Sequence, residues 1–139
     1  MQHLKAFAPE KTLIKEFKYW VVLQRPQFTL GACFFCLRRN IPSLAQMTAD
    51  EAAELPKVIA WFEETCIRLY GAEKFNYLAL MMKDFFVHFH AFPRYTKTVK
   101  RHGVSWSDVH WPVSIKMDLA VPVSCDNLVL EKIRKEMGE

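Results

Sequence analysis

The sequence predicts an α+β fold, and three observations carry that prediction. Short apolar segments rich in aromatic and β-branched residues recur before and after a single long helical pattern. A second, capped helical segment closes the chain. The composition is globular: 139 residues, 51% apolar, 14% aromatic and 24% charged. Strand segments around one long helix, without strict β–α alternation, read as α+β. One domain over residues 1–139 is expected, because a chain of this length buries enough surface for one core.

The elements follow in order. Pro9 to Lys18 predicts a short helix, with Leu13, Ile14 and Phe17 at helical spacing. Trp20-Val21-Val22-Leu23 predicts a strand, which Arg25-Pro26-Gln27 ends because proline removes a ladder donor. A second strand is expected from about Leu30 to Arg38. Thr48-Ala49-Asp50-Glu51 has the form of a capping box. Leu55, Ile59, Phe62, Cys66 and Leu69 then mark one apolar stripe, and Gly71 sits where a left-handed C-cap belongs. Pro56 should kink this helix. Two more strands, Lys74 to Met82 and Phe85 to Phe92, are joined by a short turn at Lys83 and Asp84 in a hairpin. Beyond Tyr95 the chain reads as irregular until Asp126 caps a helix running to about Met137.

Charge and composition exclude several classes of function. The net charge is +4, and no block of five or six like charges occurs. The densest basic stretch, Lys97, Lys100, Arg101 and His102, reads as a solvated loop. A duplex-binding protein carries a longer basic stripe, so no nucleic-acid partner is expected. No apolar run reaches the roughly 18–20 residues that span a bilayer. Met1 to Glu10 lacks the apolar stretch of a secretory signal. No membrane partner is expected, and a cytoplasmic protein is.

Cys33 and Cys36 have the spacing of a redox or metal motif, but they lie in the apolar run Ala32–Leu37. Residues three apart on a strand face opposite ways. No second pair supplies further ligands, so packed, free thiols and no metal are expected.

The informative segment is Phe86-Val87-His88-Phe89-His90-Ala91-Phe92-Pro93-Arg94. On a strand, His88 and His90 share one face with Phe86 and Phe92, while Val87, Phe89 and Ala91 suit a core. Three readings fit two neighbouring imidazoles: half of a metal site, two hydrogen-bonded sheet residues, or a nucleophile with an electrostatic partner.

His88-Phe89-His90-Ala91-Phe92-Pro93-Arg94 resembles the signature of the histidine triad (HIT) family, in which three histidines alternate with apolar residues and Pro-Arg often follows. The resemblance runs from about Trp20 to Pro112. It includes Leu37-Arg38-Arg39 before the long helix, Phe75-Asn76-Tyr77-Leu78, and the tail from Gly103 to Asp108 with Trp111-Pro112. Phe86 stands at the first triad position.

The resemblance implies a HIT-like fold: an antiparallel sheet of about five strands with the long helix packed on it, assembled as a homodimer. It implies a nucleotide phosphohydrolase or nucleotidyl transferase that cleaves at the α-phosphate of a nucleotide conjugate. A dinucleoside polyphosphate, a phosphoramidate and an adenylylated small molecule are the candidate substrates. His88 would be the nucleophile and His90 would contact the phosphate, with Asn76, Phe86 and Arg25 around the substrate. No cofactor and no metal are implied. The alternative is a catalytically weak, nucleotide-binding dimer that acts as a sensor or interaction protein. The early strand around Leu23-Gln24-Arg25 lacks the acid that often holds ribose hydroxyls in the family.

Overall fold

The computed structural model describes every residue from Met1 to Glu139. Trp20-Val21-Val22-Leu23 forms a strand as expected, extended by one residue. It pairs on both sides within a five-stranded antiparallel sheet. The strands are β1 (Leu13–Glu16), β2 (Trp20–Gln24), β3 (Cys33–Leu37), β4 (Lys74–Leu78) and β5 (His88–Arg94), in the order β1-β2-β3-β5-β4. β2 and β3 are buried along their whole length.

The expected helix at Pro9–Lys18 is corrected. Only α1 (Pro9–Thr12) is helical, with Pro9 opening it. Leu13 onward turns into β1 and pairs with β2, Glu16 opposite Val21. A run this short carries both periodicities, and the ladder offered by β2 decides for strand.

The long helix α2 (Ala49–Tyr70) has its complete capping box and its left-handed Gly71 C-cap. It continues unbroken through the exposed Pro56. Its buried stripe is Val58, Phe62, Cys66 and Tyr70 at steps of four, while Leu55, Ile59 and Leu69 flank it half-buried. This stripe packs on Trp20, Val22, Phe35, Val87 and Ala91 to form the main core. The Trp20 indole donates to the Glu51 carbonyl at 2.9 Å, joining sheet to helix. The second long helix, α3 (Asn127–Gly138), is capped by Asp126 and buries Ile133 and Met137.

The hairpin of β4 and β5 pairs as expected, but its connection is longer. β4 ends at Leu78 and β5 begins at His88, with residues 79–87 between them. The expected irregular segment after Tyr95 contains a small hairpin, β6 (Val99–Arg101) with β7 (Val104–Trp106). Arg101 and His102 of this hairpin both reach Glu136 on α3. The basic stretch is therefore tied to the C-terminal helix. No helix is long and apolar enough to cross a membrane.

The N-terminal residues Gln2–Phe7 form a 3-10 turn on the sheet face opposite α2. Leu4 is fully buried there with Val21, Leu23, Phe34, Cys36 and Phe86. Cys33 lies in the main core and Cys36 in this second cluster, the opposite faces expected from their spacing. All four cysteines are free thiols. Burial pushes the Cys33 and Cys36 thiols well above their ordinary range.

Candidate active site

Strand β5 delivers the two histidines. His88 pairs across the ladder with Cys36, and His90 sits between Phe34 of β3 and Leu78 of β4. Both side chains point away from α2, because Ala91 and half-buried Phe89 take the core face. The two rings lie 5.1 Å apart, centroid to centroid, at 63°.

His88 is buried, and its Nδ1 lies 2.7 Å from the Phe86 carbonyl oxygen. A carbonyl only accepts, so Nδ1 carries the proton and donates it. In the neutral ring Nε2 then keeps its lone pair. The backbone of the residue at the first triad position thus fixes the tautomer that a nucleophilic imidazole needs.

His90 is half-buried, and its Nδ1 has no partner. Its pKa is pushed down to about 4, first by burial and then by the Arg25 guanidinium and His88. The ring is therefore neutral at pH 7.

Arg25 follows β2 directly. Its guanidinium lies 4.5 Å from the Phe92 ring centre and 5.4 Å from that of Phe34. Its Nε is buried and unpartnered. No carboxylate pairs with Arg25. Burial lowers its pKa to about 10, and the nearby Cys33 thiol acts weakly the other way.

Arg25, His88 and His90 line one cavity of about 270 Å³. Its remaining wall comes from the connection between β4 and β5, with Met81 and Met82, and from Met117. Met81 sits in the left-handed region at φ 44°, which carries the chain over the cavity. Methionines in irregular segments leave no periodic trace, so sequence reasoning missed this wall.

The structure gathers three of the five expected site residues and sets two apart. Phe86 precedes β5 and is buried in the apolar cluster, its ring 4.8 Å from His88. It backs His88 and does not line the cavity. Asn76 also lies outside the lining. Its Oδ1 accepts from Arg94 at 2.6 Å and from the Ile115 amide at 3.3 Å. The acid that completes this cluster, Asp108, had no signal in the sequence beyond its place in the tail motif. A further residue missed is Phe7. Its ring stacks on Phe34 at 4.1 Å and meets His88 edge-on at 5.5 Å.

No family model matches the sequence, and no curated protein does. Solved structures do. A histidine triad protein from Marinobacter aquaeolei superposes with a TM-score of 0.74 at 18% identity, covering 96% of this chain and 90% of that one. A hypothetical histidine triad nucleotide-binding protein from Sulfolobus tokodaii gives 0.66 at 14% identity, over 99% of this chain and 91% of that one. A histidine triad protein from Bradyrhizobium japonicum gives 0.65 at 16% identity, over 92% and 89%. At such identities the likeness speaks for architecture. The antiparallel sheet, the long helix across it and the C-terminal helix are those of the histidine triad fold.

Proposed function

We propose that the chain is a nucleotide phosphohydrolase or nucleotidyl transferase acting through His88. The observation that carries this reading is the bond from His88 Nδ1 to the Phe86 carbonyl, in a cavity that also holds His90 and the unpaired Arg25. Nε2 attacks the α-phosphorus of a nucleotide conjugate. An N–P bond forms, and the bond from phosphorus to the leaving group breaks. The leaving group departs with the electron pair and takes a proton from solvent. Water then attacks the same phosphorus, releases the nucleoside monophosphate and restores the ring. Arg25 holds the phosphate oxygens by charge, and neutral His90 offers an N–H to them. An arriving anion raises the His90 pKa, so the contact strengthens as substrate binds.

A second reading has its own observation. Phe86 occupies the first triad position and brings no ring nitrogen, which suits a nucleotide-binding homodimer with little turnover. Release of AMP from adenosine phosphoramidate or a diadenosine polyphosphate separates the two. In the enzyme, His88→Ala lowers kcat by on the order of 10⁴ or more while AMP still binds. A nucleotide label that is acid-labile and base-stable attaches to wild type and not to His88→Ala. Equal turnover by His88→Ala overturns the mechanism, and AMP binding without turnover in wild type favours the binding dimer. Light scattering checks the dimer.

A further inference from the structure

His88 has one polar tether, the bond from Nδ1 to the Phe86 carbonyl at 2.7 Å. The acceptor lies only two residues back in the chain, and the Phe86 side chain has no polar atom to add a second bond. A ring fastened at one corner rocks about that corner. Nε2, on the far side of the imidazole, then travels furthest, and to it falls the attack in the proposed reaction. Misplacing a reacting atom by about 1 Å costs roughly 10²-fold in rate. Packing has to supply the hold that hydrogen bonding leaves out.

That packing is aromatic, and part of it comes from outside the sheet. Phe86 lies 4.8 Å from the His88 ring and Phe34 lies 6.3 Å from it. Phe7 meets His88 at 5.5 Å and 63°. It also stacks on Phe34 at 4.1 Å and 7°, and sits 5.4 Å from Phe86. Phe7 thus touches both of the other rings as well as the histidine.

The N-terminal turn keeps Phe7 in that place. Leu4 is fully buried among Val21, Leu23 and Phe34. His3 Nε2 donates to the Leu37 carbonyl at 3.1 Å. Ala8, directly after Phe7, takes φ 49°, in the left-handed region that residues with a Cβ rarely adopt. The Thr12 hydroxyl donates to the Phe7 and Ala8 carbonyls at 2.8 and 3.0 Å and fastens the bend. Burial of Leu4 explains why the turn lies on the sheet. It does not explain a strained residue next to Phe7, and such strain persists where the surroundings over-determine it, most often at working sites.

We infer that Phe7 is a positioning residue for the nucleophile: braced on Phe34 and Phe86, it stops the His88 ring from rocking on its single bond and holds Nε2 on line with the phosphorus. The inference rests on the nucleophilic role proposed for His88. Phe7 itself has no part in the chemistry. The N-terminal turn is then a working piece of the site, although it lies outside the sheet that carries both histidines.

Nitrogen-15 NMR of the His88 ring in the ligand-free protein, with steady-state cleavage of adenosine phosphoramidate, tests this. Phe7→Ala should speed solvent exchange of the His88 Nδ1 proton by about tenfold or more and lower kcat by about 10–100-fold, with a smaller change in KM. Phe7→Leu keeps an apolar side chain on the turn, so it serves if the alanine variant does not fold, and it should shift both readings the same way. Exchange unchanged in a folded Phe7 variant overturns the inference, as does a loss confined to KM, which makes Phe7 a wall of the ligand site only. A lowered melting temperature with wild-type exchange and kcat overturns it too, leaving Phe7 as plain packing. Faster exchange with kcat unchanged overturns it as well, because the hold on the ring then has no bearing on attack. If wild type turns over no nucleotide, the nucleophilic reading fails, while faster exchange in Phe7→Leu still marks Phe7 as the residue that holds the ring.

Discussion

Arg94 and Arg25 both lie on the side of the sheet away from α2, and their surroundings are opposite. Arg94 is almost completely buried, and so is its partner Asp108, which it meets through two bonds at 2.6 and 3.0 Å. Nη1 donates to Asn76, and Nη2 donates also to the Val113 carbonyl. Arg25 stacks on two phenylalanines, has no acid beside it and leaves Nε unpartnered. A buried charge is tolerated when it is paired, as Arg94 is. Arg25 is half-buried, and its buried, unpartnered Nε is a local cost that folding alone does not explain; such costs collect where a ligand completes the site. The difference fits a structural role for Arg94 and supports the anion-binding role proposed for Arg25.

The largest expected effect comes from breaking the paired member. Asp108→Ala leaves Arg94 buried without its anion and removes the acceptor of the Tyr95 amide. The expected loss is about 3–5 kcal/mol in urea denaturation. A loss below about 1 kcal/mol would remove the contrast between the two arginines.

Arg25→Gln sharpens the contrast from the other side. Unfolding free energy should stay level or rise, since an unpaired cation leaves an apolar setting. The rate of nucleotide cleavage should fall about 10²–10³-fold, the usual loss for one charge-stabilising donor. Destabilisation comparable to that of Asp108→Ala, with cleavage intact, would make Arg25 structural too.

Phe86→His restores a third histidine to the strand pattern. A pocket-lining Phe86 would accept this without loss, but Phe86 is 6% exposed and packed among Leu4, Leu23 and Phe34. The replacement should therefore cost about 1–3 kcal/mol through the buried polar ring. The Phe86 carbonyl that orients His88 is unaffected by the side chain, so the proposed nucleophile keeps its tautomer. Thermal denaturation reads the cost, and a gain in turnover despite it would show that the missing nitrogen limits the rate.

Local signals carried most of the fold. The Thr48 cap, the Gly71 stop and the alternation around His88 are written within a few residues each, and the structure follows them. What the sequence left hidden depends on partners far along the chain. Leu13–Glu16 became a strand only because β2 was there to pair with it. Phe7 gained its place beside His88 by lying across the sheet. For the site, spacing put His88 and His90 on one face, and Arg25, set beside the substrate by the resemblance, joins them from the end of β2. Asn76 was set beside the phosphate on resemblance alone. Its engagement with Arg94 is a tertiary contact between two strands and could not be read in advance.

The smallest effect expected is in the pH dependence of stability, and it probes the same unpaired cation. His90 takes up its proton at about pH 4 in the folded chain, against 6.5 for a free histidine. Burial is the first cause, followed by the positive charge of Arg25 at the end of β2 and by His88 on the same strand. Lys83 and Asp84, of opposite charge, face the cavity from the connection between β4 and β5. Between pH 6.5 and about 4 the unfolded chain binds a proton here that the folded chain refuses. Stability is thus full above pH 6.5 and is lost as the pH falls through that window. The ring is part-exposed, so solvent screening reduces the loss to roughly 1–2 kcal/mol. His90→Asn should flatten that limb of the stability profile. Arg25→Gln should move the limb to higher pH and make it shallower, because one of the charges that repels the proton is gone. Inorganic phosphate at saturating concentration should do the same to wild type by neutralising that charge from the cavity. If phosphate leaves the limb where it is while Arg25→Gln shifts it, no anion reaches Arg25 and the contrast with Arg94 is only one of packing.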